Sequence, residues 1–441
     1  MIRLLLLAFL IFGSLLSSAQ HRCGFDQFLE ANPTYKEALI NQTKSFKNIY
    51  DKQKFRRDYK FSFDTTYELK VVFHIVYNTA SENIPDSSII SQMEVLNEDF
   101  GRLNFDTTET MTEFLDVAGK LPFKFVLADT DPDGNPTDGI VRKQTNITAF
   151  TRTSGGQYDS RMKFDILGGS DAWDPQKYIN IWVCDLQGTS GGGGLLGYAT
   201  PPLGAENWPS NVQFPEEQQG AVIHYTTAGR YNPSAFANGA NSLGRVCTHE
   251  LGHYFGLFHT WGLQSNTCNE SVDDFIDDTP NTRSLNRGCN LGNNTCFTLG
   301  GNDLPDMVQN YMDYSNGVCQ NIYTKDQCAL MFSNVQNFRP SIITPIVKKD
   351  SVFVGELVSK PFLLSNPGSK LVIGADNYSN QTLIIDVYDL AGRRVLFDKQ
   401  VEISEPREIS ELSGVSNARY ITVIKNNNSG EVFTYIYVKP E

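Results

Sequence analysis

Apolar and polar residues alternate in several short runs before residue 230, and this pattern predicts β-strands. The runs are rich in β-branched and aromatic residues, and turn residues separate them. They are Glu68–Tyr77, Tyr178–Cys184, Gly194–Thr200 and Ala221–Tyr225.

A helix is predicted over Ile89–Phe100, because apolar residues repeat there at three- and four-residue spacing. Ser87 or Ser88 is the expected N-cap. The apolar face of this helix should pack on the predicted sheet. Strands and helices in this order indicate an α+β or α/β domain.

The pattern changes after about Ser351, where short alternating strands follow one another without a helix. These are Lys370–Ile373, Thr382–Tyr388, Arg419–Ile424 and Val432–Val438, separated by turns rich in Asn, Gly and Ser. We therefore expect a separate all-β sandwich over residues 346–441. The larger α+β domain would span residues 61–345.

The first residues have the three-part layout of a signal peptide. Arg3 precedes an apolar run from Leu4 to Leu16, and small residues follow up to a cleavage site near Ala19 or Gln20. A buried N-terminal helix is the alternative. No later stretch approaches the roughly 20 apolar residues that a transmembrane helix needs. We expect residues 1–20 to be removed and the protein to be secreted or displayed on the cell surface.

Residues 21–60 are polar and moderately helical in character, and they end near the basic cluster Lys54–Arg57. This composition indicates a pro-segment with a cleavable end. At 441 residues, the whole chain is long enough for two or three folded units. Its formal net charge of −13 and the lack of a basic stripe argue against nucleic-acid binding.

The chain contains eight cysteines, and export permits disulfides. Four of them crowd a loop-rich stretch: Cys268, Cys289, Cys296 and Cys319. We expect two disulfides there, and the sequence leaves three pairings open. Cys184, Cys247 and Cys328 stay unassigned.

Residues 249–259 have the pattern HExxHxxGxxH. His249 and His253 lie four apart, so both share one face of a helix and can bind one zinc ion. A continued helix would turn His259 away from that face. Gly256 can end the helix and bring His259 back as the third ligand.

The same segment predicts a hydrolytic mechanism. Three neutral imidazoles leave zinc with its double charge and an open position for water. Glu250 would take a proton from that water as general base and return it to the leaving amine. The expected function is zinc-dependent hydrolysis of peptide bonds in protein or peptide substrates. A helix with ordinary core histidines is the alternative for this segment. Ser242 is the expected N-cap of the motif helix.

At these residues the chain resembles the metzincin metallopeptidases, in which a methionine-containing turn follows the zinc motif. Here that turn would be Asn310–Tyr314. Within the metzincins, the chain is similar to the pappalysin family in the order of its segments after the third histidine. These are HTWG, Cys268, Asp277–Pro280, NYMDY and Cys319. The resemblance covers roughly residues 65–335 and implies a metzincin-like α+β catalytic domain with a twisted sheet.

The resemblance implies further roles. Met312 would form the hydrophobic floor beneath zinc, close to the role of an ordinary core methionine. Tyr314 would contact the metal site or stabilise the tetrahedral intermediate. The pairs Cys268–Cys296 and Cys289–Cys319 would form disulfides. A calcium-binding loop would involve Asp273, Asp274, Asp277, Asp278 and Thr279, for which a solvated acidic loop is the alternative.

Two expectations concern regulation and specificity. A thiolate of Cys23 would occupy the open position of zinc and keep the precursor latent, with a structural disulfide as the alternative. Related pappalysins that cleave before Arg or Lys carry an acidic residue two positions before the cysteine that follows the methionine turn. Here that position is Gly317. We expect a weakened basic preference, unless Asp313 reaches into the pocket.

The C-terminal unit resembles the sorting domain of type IX secretion cargo, which implies secretion machinery as a partner. The matching residues are Ser365–Pro367, Val387–Arg393 and a closing strand, although the end at Lys439–Glu441 is less basic than usual. An adhesive or carbohydrate-binding sandwich is the alternative. Rival functions for the whole chain are a zinc hydrolase of non-peptide amides and a catalytically dead zinc protein that binds partners.

Overall fold

A computed structural model describes residues 23–54, 65–151, 158–187, 194–208, 214–235, 241, 243–297, 303–346 and a set of strands between 362 and 438. The predicted signal peptide and most of the basic cluster at residues 54–57 lie outside the described residues. The α-helices are α1 (Phe25–Ala31), α2 (Pro33–Lys54), α3 (Asp86–Gly101), α4 (Arg245–Tyr254) and α5 (Lys325–Phe338).

The strands before residue 346 are short, and most belong to one sheet. They are β1 (Tyr67–Tyr77), β2 (Phe123–Leu127), β3 (Ile140–Gln144), β4 (Phe150–Thr151), β5 (Ile179–Cys184), β6 (Leu186–Gln187), β7 (Gly197–Ala199), β8 (Ala221–His224) and β9 (Ile343–Pro345). Short 3-10 helices lie at Thr107–Glu109, Thr112–Val117, Arg161–Lys163, Asp165–Leu167, Glu216–Gln218, Tyr225–Thr227, Glu270–Val272 and Pro340–Ile342.

The main sheet has the order β2-β1-β5-β8-β7, and β3 and β9 also pair with β1. Strands β1, β2, β3, β5 and β8 run parallel, whereas β7 pairs antiparallel with β8 and lies at the end of this order. The four strands predicted in this region are all present. The third is shorter than expected, because only three residues of Gly194–Thr200 pair with β8.

Helices α3 and α4 share one hydrophobic core with the sheet. Its fully buried members include Phe73, Ile181, Leu96 and Leu251. Burying each such side chain contributes about 1.5–3 kcal/mol of transfer free energy. This packing places α4 against β7 and β8, directly beneath the sheet edge.

Two of the predicted N-caps are wrong. Helix α3 begins at Asp86 with Pro85 in the N-cap position, so Ser87 and Ser88 lie within the first turn. Proline suits this position because its missing N–H would find no partner inside the helix. Helix α4 begins at Arg245, and its N-cap is Gly244, with φ 74°. Ser242 lies outside the described residues.

The chain ahead of the sheet forms two helices. Helix α1 packs beside the motif segment, with Phe25, Phe28 and Leu29 buried in a cluster that includes Phe258 and Trp261. Helix α2 reaches the loop of the predicted calcium site, where Lys47 forms an ion pair with Asp277. The predicted pro-segment therefore covers the face of the domain that carries the motif.

The C-terminal part contains two antiparallel groups of strands. They are β10 (Phe362–Asn366), β11 (Lys370–Gly374) and β14 (Arg407–Ile409), and β12 (Gln381–Asp389), β13 (Arg394–Ile403), β15 (Arg419–Asn426) and β16 (Val432–Val438). The four predicted strands fall within these ranges. The β-sandwich domain itself stays a prediction, and Pro367, residues 390–393 and residues 439–441 lie outside the described residues.

Among the described residues, every helix is too short or too polar to cross a membrane.

Candidate metal centre and active site

Three imidazole rings converge at one end of α4. The Nε2 atom of His253 lies 3.2 Å from Nε2 of His249 and 3.1 Å from Nε2 of His259. His253 and His259 are fully buried, and His249 is 6% exposed. The predicted meeting of the third histidine with the first two is therefore present in the structure.

The other nitrogen of each ring faces an acceptor. Nδ1 of His249 lies 2.6 Å from the carbonyl oxygen of Tyr311, and Nδ1 of His253 lies 2.8 Å from that of Leu257. A carbonyl only accepts, so each Nδ1 carries the proton and each Nε2 presents a lone pair. Burial, His259 and His249 lower the pKa of His253 well below its usual value, so this ring stays neutral. Nδ1 of His259 lies 2.7 Å from a carboxylate oxygen of Asp26, so its Nε2 also presents a lone pair. Three such lone pairs repel one another unless a cation lies between them, and this donor set fits zinc.

The chain reverses direction immediately after α4. The helix ends at Tyr254, and Gly256 adopts φ 101°. A side chain at Gly256 would also overlap the amide nitrogen of Asn334, which donates to the carbonyl of Phe255 at 2.8 Å. The left-handed turn at Gly256 is what brings His259 back toward His253.

The methionine turn packs against the underside of the motif helix. Met312 is fully buried, and a Cβ atom at Gly252 would overlap its Sδ atom. The backbone N–H of Thr260 donates to the carbonyl of Met312 at 3.3 Å. Gly252 is therefore needed for the close packing of α4 on Met312.

Glu250 lies between the histidines and the edge strand β7. It is 1% exposed, and a Cβ atom at Gly197 would lie 2.6 Å from its Oε1 atom. Burial raises the pKa of Glu250 well above its usual value, while a hydrogen bond from Cys23 opposes this. In this covered state the buried carboxyl group therefore favours its protonated form.

Cys23 lies at the centre of this site. Its sulfur and the nitrogens of His249, His253 and His259 all lie within 4.8 Å of one another, so among the described residues these four form a group that could hold a metal ion. The Sγ atom is 3.3 Å from Oε2 of Glu250. Burial and the charge of Glu250 raise the pKa of the Cys23 thiol. A thiolate here therefore requires a neighbouring cation.

The segment around Cys23 lies along β7 like an added strand. The N–H of Gly24 donates to the carbonyl of Gly197 at 2.9 Å, and Cys23 forms a parallel bridge with Gly197. The hydroxyl of Tyr314 donates to the carbonyl of Cys23 at 2.9 Å. The Tyr314 ring lies 4.9 Å from the His259 ring, so the tyrosine is close to the candidate metal position.

Two residues of this segment were missed by the sequence analysis. The Phe25 ring stacks on the His253 ring with centroids 3.9 Å apart. Oδ1 of Asp26 lies 2.7 Å from Nδ1 of His259. Their proximity to Cys23 in sequence was the available signal, but nothing in the residues indicated which rings they would contact.

Gly317 lies in a cavity beside His249, at the predicted specificity pocket. The carbonyl of Gly317 accepts a hydrogen bond from Arg245 at 2.7 Å, and the same guanidinium pairs with Asp106. Asp313 also lines this cavity, but both its carboxylate oxygens accept hydrogen bonds from Asn286. Burial raises the pKa of Asp313 to about 6.

The acidic residues of the predicted calcium loop do not converge like the histidines. Asp274 is buried and accepts hydrogen bonds from Thr279, while Asp273 accepts from the N–H of Phe275. Oδ2 of Asp278 accepts from a backbone N–H of α5. Burial and the charge of Asp273 raise the pKa of Asp274 well above its usual value.

Disulfides join Cys268 to Cys296 and Cys289 to Cys319, which are the pairs implied by the resemblance. Cys23 and the three unassigned cysteines are free and buried; these are Cys184, Cys247 and Cys328. Cys247 is part of α4 and packs into the core that this helix shares with the sheet.

Comparison with known proteins gives consistent matches over this region. The peptidase family described as pregnancy-associated plasma protein-A matches residues 165–336. An extracellular metalloprotease of Arthroderma gypseum is 26% identical over 316 residues, which are 71% of this chain and 83% of that protein. One of Verticillium alfalfae is 43% identical over 198 residues, which are 44% of this chain and 63% of that protein.

Solved structures of mirolysin from Tannerella forsythia have the same fold. Mature mirolysin in complex with a cleaved peptide is 38% identical, with a TM-score of 0.53, and the match covers 64% of this chain and 96% of that one. A promirolysin variant is 34% identical, with a TM-score of 0.59, covering 73% of this chain and 95% of that one.

Proposed function

Since the chain belongs to the pappalysin family of metalloendopeptidases, we propose that it is a secreted, zinc-dependent endopeptidase made as a latent precursor. The observation that carries the proposal is the convergence of three buried Nε2 atoms, each with its other ring nitrogen next to an acceptor. The extracellular relatives and the promirolysin structure support secretion and a precursor form.

His249, His253 and His259 would hold the zinc ion, which polarises a water molecule and the substrate carbonyl when it is bound. Glu250 would accept a proton from that water and pass it to the leaving amine. Glu250 lies beside the histidines and next to β7, where it can reach both the water and the leaving amine. No covalent intermediate with the enzyme is needed.

Tyr314 and Met312 would support the reaction in different ways. The Tyr314 hydroxyl, which donates to the Cys23 carbonyl in this structure, becomes available to a substrate carbonyl once that segment leaves. It would stabilise the charge of the tetrahedral intermediate. Met312 would support the histidines from below through its contact with α4.

Latency would come from Cys23. Its sulfur lies within the histidine group, where a thiolate would take the fourth position on zinc and exclude the catalytic water. Gly24 hydrogen-bonds to the edge strand where a substrate backbone would otherwise pair. The precursor would therefore block both the metal and the cleft.

The specificity pocket would have little preference for basic residues after the scissile bond. Gly317 brings no carboxylate, and its carbonyl already accepts from the buried Arg245 guanidinium. Asp313 is engaged by Asn286 rather than free to meet a substrate guanidinium. A second cation in this cavity would be poorly compensated. We therefore expect a weakened or lost preference for basic residues and a broader tolerance for neutral residues at this position.

The loop that contains Asp273, Asp274, Asp277, Asp278 and Thr279 would bind structural calcium. Burial of Asp274 beside Asp273 supports this, because two carboxylates held together are stabilised by a hard cation. The alternative is an acidic loop whose carboxylates are paired with protein groups and solvent instead of calcium. The ion pair between Asp277 and Lys47 is one such pairing.

The proposed domain limits are 1–20 for the signal peptide, 21–60 for the pro-segment, 61–345 for the catalytic domain and 346–441 for a sorting domain. Antiparallel strands within the last range support an all-β unit there. Engagement of type IX secretion machinery rests on the resemblance alone. A test is to delete residues 346–441 in the native host and measure whether the enzyme still reaches the medium.

The decisive experiment compares the parent with Glu250→Ala and with Glu217→Ala, a control at an exposed glutamate far from the histidines in sequence. Each protein is loaded with zinc, processed with trypsin that is then inhibited, and given casein with or without o-phenanthroline. We expect Glu250→Ala to keep its zinc and to lose at least about 100-fold in rate, the contribution of a general base.

The outcomes separate the rivals. A zinc-loaded Glu250→Ala protein with the parent rate would refute the role of Glu250. A parent that binds zinc but cleaves no peptide bond would instead indicate a zinc protein that binds partners. Activity only on non-peptide amides would indicate the other rival.

A further inference from the structure

In each candidate zinc ligand, Nδ1 is the ring nitrogen that points away from the other two histidines. The group that faces Nδ1 comes from a different part of the chain in His259 than in His249 and His253. Nδ1 of His249 and of His253 faces a backbone carbonyl of the catalytic domain, at 2.6 and 2.8 Å. Nδ1 of His259 faces Oδ1 of Asp26 at 2.7 Å. Asp26 belongs to the segment that we propose to be removed on activation.

His259 is otherwise surrounded by rings. It stacks on Trp261 with centroids 4.2 Å apart, and the rings of Tyr314 and Phe25 contact it edge-on at 4.9 and 6.0 Å. The side chain is fully buried. Within the described parts of the chain, the hydrogen-bond partner recorded for its Nδ1 is the Asp26 carboxylate.

The position of Asp26 depends on its neighbours in the segment. Gly24 is hydrogen-bonded to the edge strand, and Phe25 stacks on His253. These two contacts lie immediately before Asp26 and orient it toward His259. The contact is therefore part of the docked arrangement and ends when the segment leaves.

We propose that Asp26 is a positioning residue that orients His259 and strengthens its bond to zinc in the precursor, so that the pro-segment helps to load the metal as well as to block it. The inference rests on the proposed zinc site. A carboxylate that accepts the Nδ1 proton fixes the ring and increases the basicity of Nε2. The processed enzyme would bind zinc through a site that lacks one of its three outer hydrogen bonds.

The expected size of the effect follows from other metal sites, where loss of an outer partner costs roughly 10–100-fold in metal affinity. This effect is separate from that of Cys23. Cys23 would bind zinc directly, whereas Asp26 acts through His259. The two contributions should therefore persist independently of each other.

The experiment uses the full-length precursor with Glu250→Gln, which prevents self-cleavage. In this background Asp26→Leu removes the acceptor, Asp26→Asn retains an amide oxygen at similar size, and Glu30→Ala is a control at an exposed residue of the same helix. Zinc transfer to a colorimetric chelator is followed for each protein. We expect release from Asp26→Leu to be about 10–100-fold faster than from the parent, with Asp26→Asn much closer to the parent and Glu30→Ala unchanged.

A second measurement covers the case in which Asp26→Leu loosens the segment. NMR of the zinc-loaded parent labelled with ¹⁵N-histidine should show three hydrogen-bonded Nδ1 protons at the metal site. The signal of His259 should disappear in Asp26→Leu, while those of His249 and His253 remain. The same comparison in a Cys23→Ala background should give a similar ratio of release rates.

Equal zinc release from Asp26→Leu and Asp26→Asn would overturn the inference, as would an unchanged His259 signal in Asp26→Leu. A parent that binds no stoichiometric zinc would instead refute the proposed zinc site itself. Failure of the two proposals is therefore distinguishable.

Discussion

The sulfur of Cys23 lies 3.3 Å from Oε2 of Glu250, the proposed general base, which follows it by 227 positions in the sequence. One side chain thus reaches both the histidines and the carboxylate that the reaction needs. Access to Glu250 requires the segment that carries Cys23 to move away.

Replacing Cys23 by alanine should therefore shorten the latency of the precursor. Cys23→Ala removes the sulfur from the histidine group but leaves the helices of the segment in place, so activation should be faster or activity present from the start. The time course of casein cleavage after purification measures this. Ser45→Ala, at an exposed position of α2, is the matched control. Latency equal to that of the parent would contradict the proposed role.

Loss of the third histidine should weaken zinc binding as well as activity. His259→Ala removes one of three ligands, and losing only an outer partner of a ligand already costs about 10–100-fold. We expect the affinity for zinc to fall by more than about 100-fold. Competition with a chelator of known affinity provides the measurement. If His259→Ala bound zinc as tightly as the parent, the turn at Gly256 would not serve a metal site.

The stability of the folded protein should respond to Glu94 in a pH-dependent way. Burial, followed by the charge of Glu98, raises the pKa of Glu94 from 4.5 to about 7. Between these values the folded state holds a proton that the unfolded state has lost, so stability falls as the pH rises through this window. Above pH 7, Glu94→Gln should therefore raise the free energy of unfolding by roughly 1–3 kcal/mol relative to the parent. At pH 4 the substitution should leave the free energy of unfolding almost unchanged.

Thermal unfolding of the Glu250→Gln precursor with and without Glu94→Gln, at several pH values, provides this measurement. Glu30→Ala serves as a control for loss of an exposed carboxylate. A stabilisation that did not change between pH 4 and pH 8 would show that titration of Glu94 is not its cause.

Cleavage specificity should reflect the missing carboxylate at Gly317. A charge-assisted hydrogen bond contributes about 1.5–3 kcal/mol, so its absence should reduce the preference for Arg or Lys after the scissile bond by roughly 10–150-fold. A peptide library cleaved by the processed enzyme reports the preference, and Gly317→Asp should shift it toward basic residues. Strict cleavage before Arg by the parent would show that another acid, such as Asp313, serves the pocket.

Much of the candidate site could be predicted from local sequence. The spacing of His249 and His253 places both on one helical face for any α-helix, and Gly256 is suited to the turn after it. The strands were predictable because alternation over a few residues depends only on which face of a sheet is buried. These are short-range properties, and they hold wherever the segments lie in the fold.

The helix starts were less predictable, because capping depends on the path of the preceding chain. Pro85 is the N-cap of α3, where Ser87 or Ser88 was expected. Gly244 is the N-cap of α4, where Ser242 was expected. Tertiary contacts of the preceding loops decided these starts, since Gly244 packs near Gln92 of α3. A preference of about 1 kcal/mol for a serine cap is easily overridden by such packing.

The sequence by itself determined the motif, its helix and the turn that brings in a third histidine, because these depend on residues at most ten positions apart. Only the tertiary structure decided that Asp26 faces His259, that Cys23 reaches Glu250 and that Arg245 contacts Gly317. Each of these pairs joins segments separated by 72 to 233 positions. Their meeting depends on how Cys23 and Gly24 dock along β7 and how the methionine turn packs under α4. This docking is a property of the whole core rather than of any local pattern.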